Sequence, residues 1–448
     1  MVDRVLELQR YYSSLQAQFA LTSSGRYAGL VIPNGNSAEP VHRWFHLKEA
    51  YSCQLLQQVL TDIRPQVGSR LRVLDPYAGV GTTTTSVAQL VATRALEEGA
   101  AFGLECNPFL HLVAETKLEA MRRPPRHFLR LARKLAATVV RSEQNSPARP
   151  SLSTFSRKDF FDPFDLRRLL LLRVAIENEE AKGAEPIEAA LARVCLGSVI
   201  EAVSSLRRDG RALRHVAKQA KPTAVQAFLD RAELVAADLP SRPLSLSGHV
   251  FHGDGRTLES LDSNLEFDLA LFSPPYPNNI DYTEVYKLEN WLLGFISCSE
   301  EFTQLRRRTV YSHPSVLRPE PLPSSALSAE ENAVVERSIG PLVSAIPDDR
   351  YAKARSRMFR GYALDMYLTL RSVADHMKPG GSVVYVVGNP VHGKPPDQIV
   401  VASDLIIAVL ARAAGFSVDR IEIARRPPRR GNASSFSRES VVFLRFVA

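Results

Sequence analysis

Short apolar runs bounded by turn residues recur along the chain at 71–74, 101–105, 250–252, 269–272 and 382–387, and stretches with helical spacing follow them. That alternation predicts an α/β fold built on a mostly parallel sheet. Two further runs, 417–423 and 440–446, are joined by the loop that contains 425–437 and predict a hairpin at the sheet's edge. Roughly 145 residues separate the second run from the third, far more than one crossover helix needs, so a module is inserted there. Its pattern is helical: apolar positions recur at helical spacing from Phe164 to Leu172 and from Glu188 to Ile200, with 146–153 reading as a linker. The stretch 300–355 is rich in proline and serine around 313–325 and predicts a long, partly ordered loop. The expected divisions are an N-terminal cap over 1–65, a sheet-bearing domain over 66–120 and 246–448, and the inserted helical module over 121–245.

Composition narrows the classes. The 448 residues are 45% hydrophobic and 23% charged, which is ordinary for a globular chain able to bury a large core. No run of about eighteen apolar residues occurs, and Met1-Val2-Asp3-Arg4 lacks the basic-then-apolar layout of a secretion signal, so a cytoplasmic location without membrane partners is expected. The four cysteines, Cys53, Cys106, Cys195 and Cys298, form no Cys-x-x-Cys pair, which argues against a disulfide framework and against a structural metal. A net charge of +8 suits a polyanionic partner. Its placement is more informative: arginines gather as Arg122 and Arg123; Arg207, Arg208 and Arg211; Arg306, Arg307 and Arg308; and across 425–430. These are candidate phosphate contacts, set against the plainer reading of solvated helix faces.

Candidate chemistry lies where two of the apolar runs end. The run 267–272 breaks into Ser273-Pro274-Pro275-Tyr276. The two prolines fix φ and lack N–H groups, so the carbonyls of Ser273 and Pro274 remain as acceptors beside a hydroxyl and a phenol. Acceptors without donors suit an NH2 group. The earlier strand 71–74 runs into Asp75-Pro76-Tyr77-Ala78-Gly79-Val80-Gly81-Thr82-Thr83. Gly79 and Gly81 allow a sharp turn, and a helix starting near Thr82 aims free N–H groups and its positive end at a carboxylate. Glu105, at the end of the next strand, is placed to accept from ribose hydroxyls, and two glycines in place of the three-glycine fingerprint disfavour a dinucleotide. Either turn alone would serve as a plain strand-closing loop, as would Gly253-Asp254-Gly255.

On the Asp75–Thr83 and Ser273–Tyr276 segments, with Ala101–Pro108, His252–Arg256 and the strand around Val383–Asn389, the chain resembles the S-adenosylmethionine-dependent DNA methyltransferases that modify exocyclic amines. About half of the chain is covered. The resemblance implies a class I methyltransferase, Rossmann-like sheet that ends in a reversed strand, and S-adenosyl-L-methionine as cofactor. It implies that Asp75, Pro76, Tyr77, Gly79, Gly81, Thr82 and Thr83 form the cofactor loop, with Asp75 at the methionine end. Glu105 follows at the ribose, Asn107 elsewhere in the cofactor site, Asp254 at the adenine amine, and Trp44–Glu49 over the methionine end. Ser273, Pro274, Pro275 and Tyr276 would be catalytic, Tyr276 stacking on a base flipped out of double-stranded DNA. Serine at the head of that turn is more typical of cytosine-N4 than of adenine-N6 enzymes, and methylation at cytosine carbon-5 lacks its cysteine. Asn278, Asn279, Asp281 and Tyr282 are further pocket candidates, whereas Tyr286 and Trp291 read as core. The helical insertion and the 300–355 loop are expected to straddle the duplex and choose the sequence, and a cognate restriction nuclease is the other partner the resemblance brings in. Adenine N6, a guanine amine in RNA, and a non-catalytic nucleic-acid-binding module on the same fold remain open alternatives.

Overall fold

The computed structural model describes residues 2–63, 70–148, 160–208, 213–216, 221–278, 280–318, 327–393, 398–427 and 434–447. Eight strands form the central sheet: β1 Leu21–Thr22, β2 Arg70–Asp75, β3 Glu98–Glu105, β4 Leu246–His252, β5 Phe267–Phe272, β6 Met377–Gly388, β7 Phe416–Arg425 and β8 Glu439–Phe446. Their spatial order is β1-β7-β8-β6-β5-β2-β3-β4. The run β6-β5-β2-β3-β4 is parallel throughout, while β8 lies antiparallel to both β6 and β7. The mostly parallel sheet and its terminal hairpin are as expected, except that β1 and not the hairpin forms the edge on that side. Several strands begin earlier than their apolar runs, because polar or glycine positions such as Glu98, Gly99 and Ser247 still pair in the ladder. The edge strand β1, parallel to β7 at Leu21↔Ile421, carries too short a run to be read from sequence.

Helices cover both faces. On one side α1 (Val2–Gln16), α13 (Ala352–Ala374) and α14 (Ser403–Ala413) bury Leu8, Tyr12, Phe359, Met366, Leu405 and Leu410 against β5, β6 and β8. On the other, α2 (Leu55–Ile63), α3 (Thr82–Ala92) and α4 (Pro108–Arg122) cover Val73, Leu269 and Val384. Between α4 and β4 the chain forms α5 (Phe128–Arg141), α6 (Pro163–Ala181), α7 (Pro186–Val203) and α8 (Ala224–Asp238). α5 shows why: Phe128, Leu131, Ala132, Leu135, Ala136 and Val139 fall on one stripe and are all buried, in a core shared with α4 and with Trp44 and Phe45. α6 starts where the Asp162 carboxylate accepts the N–H groups of Phe164 and Asp165, with Pro163 in the first turn. Three short helices follow β5: α9 Tyr282–Val285, α10 Lys287–Leu292 and α11 Ser299–Arg308.

The expected loop over 300–355 is corrected. The segment carries most of α11, then α12 (Ala329–Ser344), and reaches the start of α13; 319–326 lies outside the described residues. The physical reason is local: Ser328 and Glu331 form a reciprocal capping box, and Val335, Ser338, Ile339 and Leu342 bury one stripe of α12. Averaging proline and serine over the whole segment hid that four-residue start signal. Among the described residues no helix is long and apolar enough to cross a membrane, and no His, Cys, Asp or Glu group is arranged to hold a metal.

Candidate active site

β2 delivers Asp75 to the upper edge of the sheet, 2% exposed. Its carboxylate accepts from the Thr83 hydroxyl at 2.5 Å, the Tyr51 hydroxyl at 3.2 Å and the Tyr77 N–H at 3.0 Å. Burial pushes its pKa up to about 6 despite these donors. The chain then turns through Gly79 (φ 54°) to Gly81 (φ 77°), the N-cap of α3, both in the left-handed region that glycine tolerates. A Cβ on Gly81 would meet Thr84 Oγ1 at 2.9 Å and Ala114 at 3.1 Å, so the turn sits hard on α3 and α4.

β3 ends in Glu105, which receives the Gly79 N–H at 3.0 Å on one oxygen and the Asn107 N–H at 2.7 Å on the other. Each oxygen keeps a lone pair for a further donor. Burial pushes Glu105 up to about 7. The Asn107 side chain caps α4 through the Phe109 and Leu110 N–H groups. Beyond β4, Asp254 is held by Arg256, whose Nε lies 2.8 Å from its carboxylate. Arg256 is 1% exposed, donates also to Asp365 at 3.1 Å and to the Arg308 carbonyl at 3.0 Å, and so ties the β4 end to the last residue of α11.

β5 ends in the Ser-Pro-Pro-Tyr turn. The Ser273 hydroxyl donates to the Val386 carbonyl of β6 at 3.1 Å and lies 3.2 Å from the Tyr276 hydroxyl. Tyr276 packs on Gly388, where an added Cβ would come within 2.9 Å of the ring. Its N–H donates to the Tyr282 hydroxyl at 3.4 Å, and His392 Nε2 lies 2.6 Å from the Pro277 carbonyl, so both ends of the turn are pinned.

One cavity of about 300 Å³ is lined by both strand ends. Asp75, Pro76, Tyr77, Gly79, Thr82, Glu105, Asn107 and Asp254 border it, and so do Ser273, Pro274, Pro275 and Tyr276. Gly81 and Thr83 are not on its wall; Thr83 is buried behind Asp75, where its hydroxyl also pairs with Tyr51. Leu47, Lys48 and Glu49 line the cavity, whereas Trp44 is fully buried, its Nε1 donating to Asp238 at 3.0 Å. Asn278 and Tyr282 are on the wall; Asp281 instead caps α9 and pairs with Arg306 at 2.7 Å, and Asn279 lies outside the described residues. Trp291 is core; Tyr286 is 1% exposed yet reaches the cavity, its hydroxyl donating to Glu49 at 2.8 Å.

The arginines divide. Arg207, Arg307 and Arg308 are exposed, and Arg308 borders the cavity. Arg122 donates to the Gly248 carbonyl at 2.9 Å, and Arg123 pairs with Glu119 on a separate groove beside α4. Arg208 is corrected as a phosphate contact: it is 6% exposed and held between Glu201 and Glu289, because its strand faces that side chain into the core. Arg211 lies outside the described residues. Sequence reading missed Tyr51 and Glu439 on the wall and took Arg425 only as a phosphate contact; for the last two the signal that could have found them was the hairpin register, which pairs Arg425 with Glu439.

The strand order, with its one reversed strand, and the paired turns at the ends of β2 and β5 define a Rossmann-like class I methyltransferase fold. No protein-family model matches the sequence. The chain is similar to the Type II methyltransferase M.AvaI of Nostoc sp. and of Anabaena variabilis, 24% identical over 472 residues that cover 96% of this chain and 90% of those proteins. It is also similar to the Type II methyltransferase M.BsoBI of Geobacillus stearothermophilus, 22% identical over 461 residues, 90% of this chain and 84% of that one. Two solved structures of the rRNA methyltransferase aviRa from Streptomyces viridochromogenes align over 91% and 94% of this chain and 85% and 96% of theirs, at 11% and 12% identity and TM-scores of 0.26 and 0.29.

Proposed function

We propose that this protein is an S-adenosylmethionine-dependent methyltransferase acting on the exocyclic amine of a flipped DNA base, with cytosine N4 as the target. The observation that carries this reading is that the glycine turn after β2 and the proline turn after β5 line the same cavity. Full-length similarity to Type II methyltransferases supports it.

The residues present fit the cofactor. Unpaired N–H groups of the first turn of α3 suit the methionine carboxylate, and the free lone pairs of Glu105 suit the ribose hydroxyls. Asp254 offers a carboxylate to the adenine amine, its position set by Arg256. When bound, the cofactor supplies an electrophilic methyl group. The chain's own part is to prepare the acceptor. An exocyclic amine is a poor nucleophile because its lone pair is delocalised into the ring, and hydrogen bonds from it to acceptors favour the pyramidal nitrogen that reacts. With its proton on the Val386 carbonyl, the Ser273 oxygen accepts from the Tyr276 hydroxyl and keeps one lone pair for the amine, and the Pro274 carbonyl lies in a turn short of competing donors. The half-buried, pinned turn holds both acceptors in place before substrate arrives. Tyr276 offers its ring as a wall against the base.

The test is transfer of labelled methyl from S-adenosylmethionine to DNA and to RNA, followed by nucleoside analysis. N4-methylcytosine in DNA is the expected product. N6-methyladenine, or label in RNA guanine, would replace the proposed target, and cofactor binding without transfer to either polymer would favour a non-catalytic module. A restriction nuclease partner is part of this proposal and is tested by whether methylated DNA resists a nuclease encoded beside the gene.

A further inference from the structure

The cavity wall beyond the catalytic turn carries an ion pair that the reaction does not use. Arg425, the last residue of β7, donates through Nε to Glu439, the first of β8, at 2.5 Å. Glu439 is in turn the register partner of Gly388, the residue on which the Tyr276 ring packs, and its Cγ would lie 3.4 Å from a Cβ added there. Both charges act on the Tyr276 hydroxyl, itself 3.2 Å from Ser273 Oγ. Arg425 and Glu439 border the same cavity and are part-exposed, with side chains 33% and 17% accessible.

Resting on the function proposed above, we propose that Arg425 determines which base is accepted, its guanidinium fork meeting the ring edge next to the reactive amine, and that Glu439 positions that fork. The Nε bond to Glu439 fixes the plane of the guanidinium and leaves its outer edge, two parallel N–H donors, for a ligand. The three candidate bases differ along that edge. Beside its amine, cytosine presents two successive acceptors, N3 and O2. Adenine presents one acceptor, N1, followed by a C–H. Guanine presents the N1–H donor beside its amine, which opposes a guanidinium. A two-pronged donor therefore satisfies cytosine fully, adenine by half, and repels guanine. Ser273 and Pro274 recognise only the amine, which all three share. Discrimination requires a second group, and Arg425 is a cation that the hairpin places on this wall, held by Glu439, the register partner of the glycine under the Tyr276 ring.

The experiment compares wild type with Arg425→Met, Arg425→Lys and Glu439→Gln. Each is assayed on the duplex site found by modified-base mapping and on the same duplex with adenine in place of the target cytosine. Cofactor affinity, measured by calorimetry, reports folding. The expected result is a cytosine-to-adenine ratio of kcat/KM that narrows about 10- to 100-fold in Arg425→Met, the discrimination one bidentate arginine contact provides, with cofactor affinity unchanged. Arg425→Lys, which keeps the charge without the fork, should discriminate nearly as poorly, and Glu439→Gln should lie between. An unchanged ratio in Arg425→Met, or a wild-type preference for adenine or guanine, overturns the role of Arg425 and leaves the methyltransferase reading standing. No transfer to any base by wild type overturns that underlying reading.

Discussion

The role proposed for Ser273 depends on the direction of its proton. If, with that proton given to Val386, the oxygen accepts from the substrate amine as proposed, Ser273→Ala should lower turnover by about 100-fold while cofactor affinity stays as in wild type; single-turnover assays beside calorimetry check this. Glu105 makes a different prediction. Burial raises its pKa from 4.5 to about 7, so between those values the native state holds more protons than the unfolded chain. Stability of the ligand-free protein should therefore fall as pH rises through that window and level off above it. Asp75, raised from 3.8 to about 6, adds the same sign at lower pH. Glu105→Gln should flatten the upper part of the slope in denaturant melts at successive pH values, and should weaken cofactor binding by loss of a charged acceptor for the ribose.

At the scale of elements, the tips of β5, β6 and β8 meet at Gly388, which lies between the Tyr276 ring and Glu439. Gly388→Ala places a methyl where the Tyr276 ring now lies, at 2.9 Å. The expected outcome is a displaced ring, a higher KM for DNA and little change in cofactor affinity, read by steady-state kinetics. Much at this scale was legible in the chain. β5 and the second half of β6 declared themselves because a strand buried on both faces is a nearly continuous apolar run, β2 and β3 by shorter apolar runs toward their ends, and Asp75, Glu105 and Ser273 because polar residues closing such runs fall at the sheet's edge. Arg208 misled because a cluster of arginines in sequence does not say which of them a short strand turns inward. Arg425 and Glu439 were hidden because their meeting depends on hairpin register, which neither segment states alone.

Across the whole molecule, buried charge links the cavity to its rim. Asp365 accepts from Arg256 at 3.1 Å, from the Tyr311 N–H at 2.9 Å and from Arg318 at 2.5 Å, so the segment after α11 is anchored to the residue that holds Asp254. α11 therefore presents Arg307 and Arg308 from a fixed base. If these touch the DNA backbone, the double variant Arg307→Ala, Arg308→Ala should weaken binding equally on all sequences. It should also reduce the slope of log affinity against log salt by about 0.9 for every phosphate no longer neutralised, measured by fluorescence anisotropy. The reversed course of β8 has one more outcome. Because β8 runs against its neighbours, it is the start of this strand, at Glu439, that meets the cavity rim. Substitutions at that strand start would reshape the mouth while every parallel strand kept its register, which makes it a place where a designer can retune the opening without rebuilding the scaffold.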